Sequence, residues 1–219
     1  YYDSLLVKLS THAMSFKQAN EKMTGWRGIF MDRTEPMREY LKPYLAKRLH
    51  RKISEMEKVQ KNMFRQTVGD LFQKALLYQR KDSAWKPSCM GLFHLLYGLL
   101  NDTPAYQIIL ADGQFYFDGM QQTKFWYPDF LYRRAEEEEE LHKYLRGGFL
   151  RVNSYELSYL CHWVFYEYRK LIGVYWKNQV TDITLMEEFQ MLNKSFPFDF
   201  LFGDYMGEIL LTFRCGERG

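Results

Sequence analysis

Apolar residues between positions 45 and 63 recur at helical spacing. They are three or four positions apart, as one face of an α-helix requires: Leu45, Leu49, Ile53, Met56, Val59 and Met63. Basic residues project roughly opposite this stripe: Lys47, Arg51, Lys58, Lys61 and Arg65. The pattern predicts a long amphipathic helix whose basic face suits a solvated surface, a partner-protein groove or the phosphates of a nucleic acid.

Residues 89–100 form a run that is apolar on nearly every side. Such a run predicts a buried central helix, in which His94 is a hydrogen-bonded core histidine. Further along, Asp112 and Gly113 separate two β-prone runs within residues 106–117, the strongest short-range signal for a β-hairpin. A single hairpin is marginally stable in water, so we expect it to pack against the helices.

The next helix is predicted over residues 130–146. Its middle carries five consecutive glutamates at positions 136–140. Five successive residues cover all sides of a helix, so this run is not a facing pair of catalytic acids. The pattern predicts a solvated, acidic turn.

Asn153 and Glu156 form a capping box, which predicts the start of a long helix. Its aromatic rings are spread around the helix axis: Tyr155, Tyr159, Trp163, Phe165, Tyr166, Tyr168 and Tyr175. One face must therefore be core, and another is left for an interface or a stacking surface. Thr184 and Glu187 repeat the capping box and predict a shorter helix.

The C-terminal segment is rich in phenylalanine. Phe198, Phe200 and Phe202 would form an exposed apolar patch unless docked, so they are candidate interface residues. Residues 207–213 fit either a helical turn or a strand.

Residues 1–23, YYDSLLVKLSTHAMSFKQANEKM, combine an apolar run of strand length with a short amphipathic helix that Ser15 caps. One strand and one helix cannot bury their own faces, so the segment is a piece of something larger. It is similar, almost position by position, to the end of the biotin carboxylase domain of pyruvate carboxylases. After Met23 the sequence departs from that family.

The resemblance implies ancestry or a gene fusion rather than carboxylation. The family's ATP-grasp lysines, phosphate loop, metal-binding glutamates and bicarbonate-site arginine lie upstream of the segment, and no biotin-attachment Met-Lys pair occurs in this chain. The sequence also has no Walker lysine, no Gly-x-Ser-x-Gly and no His-Glu-x-x-His motif. We therefore predict no catalytic, cofactor-binding or metal-ligating residues, and no cofactor.

Composition is that of an ordinary globular protein, with 47% hydrophobic and 26% charged residues. A net charge of +3 is too small to imply a polyanion partner by itself. Cys89, Cys161 and Cys215 are odd in number and widely spaced, which favours buried thiols in the cytoplasm over a disulfide framework or a zinc site. No apolar run approaches the roughly 20 residues that span a bilayer, so we expect no membrane association.

Together these patterns predict a mainly α fold. A helical domain at residues 35–213 would carry one packed hairpin near 106–117, preceded by a join at 24–34 and an orphan strand–helix fragment at 1–23. The favoured function is a non-enzymatic intracellular interaction or regulatory module that binds a protein partner or itself. Two alternatives stay open: nucleic-acid binding through the five basic residues above, and a fragment of pyruvate carboxylase ancestry without its catalytic residues.

Overall fold

The structure is a computed structural model whose described residues are 33–59, 61–95, 104–128 and 131–216, without the side chains of residues 57–59, 61 and 62. The chain divides into two compact units, residues 1–35 and 36–219, and the fold described is that of the second. The fragment predicted at residues 1–23 lies outside the described residues, as does nearly all of the predicted join.

Helices and strands are interspersed along the described chain. In chain order they are α1 (Thr34–Val59), α2 (Lys61–Gln79), β1 (Cys89–His94), β2 (Tyr106–Ala111), β3 (Gln122–Trp126), α3 (Arg134–Leu145), α4 (Ser154–Thr184), α5 (Glu187–Met191), β4 (Phe198–Asp204) and β5 (Ile209–Cys215). A short 3-10 helix, Phe115–Phe117, lies between β2 and β3.

These strands form one mixed sheet in the order β3-β2-β1-β4-β5. Strand β1 pairs in parallel with β4, and the other neighbouring pairs are antiparallel. The prediction of a mainly α fold with one packed hairpin is therefore wrong, and the fold is mixed α/β. The pairing of β1 with β4 joins segments far apart in the sequence, so no local pattern indicates it.

Strand β1 occupies the centre of the sheet, where a helix was predicted over residues 89–100. All of its residues are buried, because β2 and β4 flank it and apolar clusters cover both faces of the sheet. A strand covered on both faces has a continuous apolar sequence. Periodicity does not distinguish such a run from a buried helix. Residues 96–100 of the predicted helix lie outside the described residues.

Strand β2 begins where the hairpin was predicted, but it pairs with residues 122–126 rather than with residues 114–117. Asp118 holds the longer connection in place. Its buried carboxylate accepts hydrogen bonds from Trp85 Nε1 at 3.0 Å and from the backbone N–H groups of Asp112 and Met120 at 2.9 and 2.7 Å. These charge-assisted hydrogen bonds favour the longer connection instead of the two-residue turn that the sequence predicted.

The side of the sheet that faces the helices contains the three candidate interface phenylalanines. Phe198 and Phe200 are fully buried, and Phe202 is half-buried against Gly173 of α4. Phe189 of α5 packs on Phe198 and Phe200 with ring centroids 5.2 and 5.9 Å apart. The expected exposed patch is thus core, because the register with β1 sets Phe200 and Phe202 beside Met90 and Leu92, on the face of the sheet that the helices cover.

The helical predictions agree more closely with the structure. The amphipathic helix predicted from the apolar stripe at positions 45–63 corresponds to α1 and α2, and Gln60 between them lies outside the described residues. The first capping box is confirmed, since Glu156 Oε2 accepts a 2.8 Å hydrogen bond from the backbone N–H of Asn153. The second is wrong, because Thr184 still belongs to α4 and its hydroxyl donates to the Thr181 carbonyl at 2.8 Å. Residues 209–215 form a strand.

Candidate interaction surface

Helix α4 exposes a line of ring side chains, called here the tyrosine face: Tyr155, Tyr159, His162 and Tyr166. Their spacing of four, three and four places all of them on one side of the helix, as in the seams of packed helices. The exposed fractions of the three tyrosines are 63%, 38% and 47% in chain order. The tyrosine face is therefore a large aromatic surface open to solvent.

The opposite side of α4 is fixed in the core. Its innermost residues are at most 2% exposed: Leu160, Val164, Tyr168, Ile172 and Trp176. Trp176 Nε1 also donates a 3.1 Å hydrogen bond to Thr212 Oγ1 of β5. Because these contacts fix the rotation of α4 about its axis, the tyrosine face lies on the side of the helix away from the core.

A buried ion network joins α1 and α3 to α4. Glu137 of α3 is 3% exposed, contacts the Arg48 guanidinium through Oε1, and accepts a 3.0 Å hydrogen bond from Tyr168 OH through Oε2. Lys52 Nζ lies 3.6 Å from the same carboxylate, and Arg48 Nη1 lies 2.6 Å from Glu140 Oε2. One carboxylate thus links three helices, including the one that carries the tyrosine face.

The prediction of a solvated acidic turn is wrong for Glu137. The signal for its burial lies on α1, where Arg48 and Lys52 continue the buried stripe between Leu45 and Met56. Cations in an apolar stripe require a buried counter-charge from elsewhere in the chain. Which of the five glutamates supplies it depends on tertiary packing.

Two phenols beside the network stay protonated at neutral pH. Burial raises the pKa of Tyr44 to about 12, although the nearby Arg48 opposes the shift. Burial and the charge of Glu137 raise the pKa of Tyr168 above its ordinary value. The Tyr168 hydroxyl therefore remains a donor to the Glu137 carboxylate.

A second buried polar cluster joins β1, β4 and α4. Fully buried His94 places Nδ1 3.6 Å from Asp204 Oδ1, longer than a hydrogen bond. Arg169 of α4 contacts the same oxygen. Contrary to prediction, neither ring nitrogen of His94 has a hydrogen-bond partner in the part of the chain that the structure describes. Since His94 is closed off from solvent, we interpret the cluster as a structural junction.

Asp204 is expected to make the fold sensitive to acid. Burial alone would raise the pKa of its carboxyl, but His94 and Arg169 outweigh burial and hold the pKa below its ordinary value. A carboxylate whose pKa is lowered on folding stabilises the protein above its unfolded pKa, about 3.9. That stability is lost as the pH falls through the folded-state pKa.

Urea denaturation between pH 7 and pH 2 tests this expectation. Asp204→Asn should lower the free energy of unfolding at pH 7. Below pH 4, the free energy of unfolding of this variant should fall less steeply than that of the wild type. Asp70→Asn is the control, because Asp70 forms an exposed ion pair in which its Oδ2 lies 3.4 Å from Lys124 Nζ. An acid decline in Asp204→Asn as steep as in the wild type would contradict the assignment.

The structure divides the predicted basic surface between two helices. Lys47 and Arg51 are exposed on α1, and Arg65 is exposed on α2. None of these three forms an ion pair within the described residues. The side chains of Lys58 and Lys61 lie outside the described part of the structure. The neighbouring Arg48 and Lys52 are buried in the ion network with Glu137, so they add no positive charge to the solvent-exposed surface.

Other chemistry is sparse in the described ranges. There, no group of three or more His, Cys, Asp or Glu side chains is arranged to hold a metal ion, and no helix is both long and apolar enough to cross a bilayer. The cysteines are free thiols. Burial raises the pKa of Cys89 to about 12, which keeps this thiol protonated and unreactive.

Comparison with known proteins identifies one short segment. The pyruvate carboxylase of Staphylococcus aureus strain Mu50 is 91% identical over 23 residues, which are 10% of this chain and 2% of that relative. This confirms the resemblance predicted for residues 1–23. No protein-family model and no solved structure matches the chain. The likeness covers only a small part of either protein, so it does not assign the α/β unit to a family.

Proposed function

We propose that the chain is a non-enzymatic interaction or regulatory module that binds a protein helix through the tyrosine face of α4. The single observation that carries this proposal is the heptad-like line of exposed rings on a helix whose other side is fixed in the core. Tyrosine is enriched at protein interfaces, because its ring buries a large area while its hydroxyl can still hydrogen-bond to water at the edge of the interface.

The rest of the α/β unit supports this role by holding the surface rigid. The Glu137 network and the Trp176–Thr212 hydrogen bond attach α4 to helices on one side and to the sheet on the other. A preformed surface loses little conformational entropy on binding, so its rings can contribute affinity.

We further propose a cytoplasmic location, which the free thiols support, because a reducing compartment preserves them.

Site-specific photo-crosslinking tests the proposed surface. We expect Tyr159→p-benzoylphenylalanine in the full chain to give discrete protein adducts in living cells on irradiation. Leu185→p-benzoylphenylalanine is the matched control, because Leu185 is 68% exposed but lies outside the tyrosine face. Tyr155→Ser combined with Tyr166→Ser should remove the adducts at position 159. Absence of adducts at position 159, or the same adducts at 185, would contradict the proposal.

Nucleic-acid binding is the second candidate. It is supported by the exposure of Lys47, Arg51 and Arg65 without ion pairs in the described residues. In a gel shift with a short DNA duplex, binding should weaken steeply with added salt, since phosphate contacts release counterions. Reversing the three charges to Glu should lower affinity by about tenfold or more, whereas Lys177→Glu on α4 should not. Equal affinity in the reversed variant and the wild type would exclude this surface.

A further inference from the structure

We propose that the helix bound by the tyrosine face is α4 of a second copy of this chain, packed antiparallel. The inference rests on the proposed function and specifies its partner. The spacing of Tyr155, Tyr159, His162 and Tyr166 is four, three and four, which is the same in both chain directions. A two-fold axis between Leu160 and Cys161 therefore superposes the face on itself.

This symmetry fixes a register. Tyr155 lies opposite Tyr166 of the second copy, and Tyr159 lies opposite its His162. Each ring thus meets a ring, as the positions of an antiparallel helix seam require. A two-fold interface uses the same patch on both partners, and this patch is self-complementary in spacing.

The charges on α4 are compatible with self-pairing. Between Tyr155 and Tyr166 the exposed or half-exposed positions carry no acidic or basic side chain apart from His162, because Glu156 is buried. Between these two tyrosines, two copies can therefore approach without like charges facing each other. Beyond Tyr166, the register brings Lys170 to the level of the second copy's Arg151, and Glu167, 2.8 Å from the Lys170 ammonium in its own copy, offsets that like charge. Arg169 and Lys170 also lie 5.7 and 5.4 Å from the centroid of the Tyr166 ring.

The available area predicts a weak dimer. A fully buried aromatic side chain covers about 150–250 Å², so three half-exposed tyrosines offer on the order of 300 Å² per copy. A stable interface buries about 800 Å² per partner. Half-buried Trp163 beside the seam adds little area, because Arg38 of the same chain already packs over its ring, 5.1 Å from the centroid. We therefore expect a reversible dimer that forms at micromolar or higher concentration.

Disulfide trapping tests the register. Full-length Tyr159→Cys and His162→Cys chains, both with Cys215→Ser, are mixed under mild oxidation; the native thiols of Cys89 and Cys161 are buried. We expect a dimer whose peptide map joins position 159 to position 162. An independent mixture of Tyr155→Cys with Tyr166→Cys should crosslink as well. The control, Tyr155→Cys chains alone, should yield at least tenfold less, because the register separates the two copies of position 155 by about 16 Å along the helix axis.

Crosslinks in both matched mixtures support antiparallel self-pairing. Preferential trapping of position 159 with itself indicates a parallel pair and overturns the proposal, as does a yield in both matched mixtures no higher than in the control. If trapping fails while photo-crosslinking at position 159 captures a different protein, self-pairing is wrong and the proposed function stands. If both fail, the proposed function is wrong as well.

Discussion

Replacing Glu137 by glutamine is expected to lower the free energy of unfolding by about 3–5 kcal/mol. The carboxylate is 3% exposed and is the buried counter-charge of both Arg48 and Lys52, which are each 7% exposed. The neutral amide leaves two desolvated cations without full compensation, and it also alters the acceptor for the Tyr168 hydroxyl. Breaking one side of a buried ion pair is therefore more destabilising than losing a surface pair.

Urea denaturation at neutral pH, followed by circular dichroism, measures this effect. The matched control is Glu139→Gln, two positions away on α3 but exposed, and its free energy of unfolding should stay within about 0.5 kcal/mol of the wild type. If Glu137→Gln behaves like Glu139→Gln, the network does not hold α1, α3 and α4 together as described.

Gly203→Ala is expected to destabilise the sheet by about 3 kcal/mol, near the upper end of overpacking effects. A Cβ atom at position 203 would lie 2.0 Å from the carbonyl oxygen of Glu208 and 2.9 Å from Cα of Ile209. Both are backbone atoms of the hairpin between β4 and β5, so no side-chain rotation relieves the clash. The 2.9 Å hydrogen bond from the Asp204 N–H to the Glu208 carbonyl would have to shift with the strand.

Thermal and urea denaturation test this close approach, with Gly119→Ala as the matched control. A Cβ at position 119 would meet nothing within 4 Å, so that variant should be nearly neutral. Amide hydrogen exchange adds a local readout, because exchange in Gly203→Ala should accelerate most in β5. Equal stability of the two alanine variants would mean that β5 does not lie against β4 as described.

The difference between local and long-range order explains which elements the sequence predicted. The capping box of Asn153 and Glu156 is complete within four residues, and the structure contains it. The central strand Cys89–His94 was assigned to a helix, because its strand identity comes from pairing with β2 and β4. Both β1 neighbours must be known before the short apolar run can be distinguished from a helix.

The same limit applies to the candidate surfaces. The phenylalanines of β4 were expected to form an exposed patch unless docked, because that segment is dense in phenylalanine, yet α4, α5 and β1 cover them. The rings of α4 were identified from the sequence, but which of them face solvent depends on the rotation of the helix. The buried side set by Tyr168 and Trp176 leaves Tyr155, Tyr159 and Tyr166 exposed.

Sedimentation equilibrium of the purified full chain measures whether the tyrosine face pairs with a second copy. For the wild type, the weight-average mass should rise from monomer towards dimer with increasing concentration. Tyr159→Ser combined with Tyr166→Ser should raise the dissociation constant at least tenfold while leaving the circular dichroism spectrum unchanged. A wild-type mass that stays at the monomer value up to millimolar concentration, or a dissociation constant unchanged in the double variant, would show that the tyrosine face does not pair two copies.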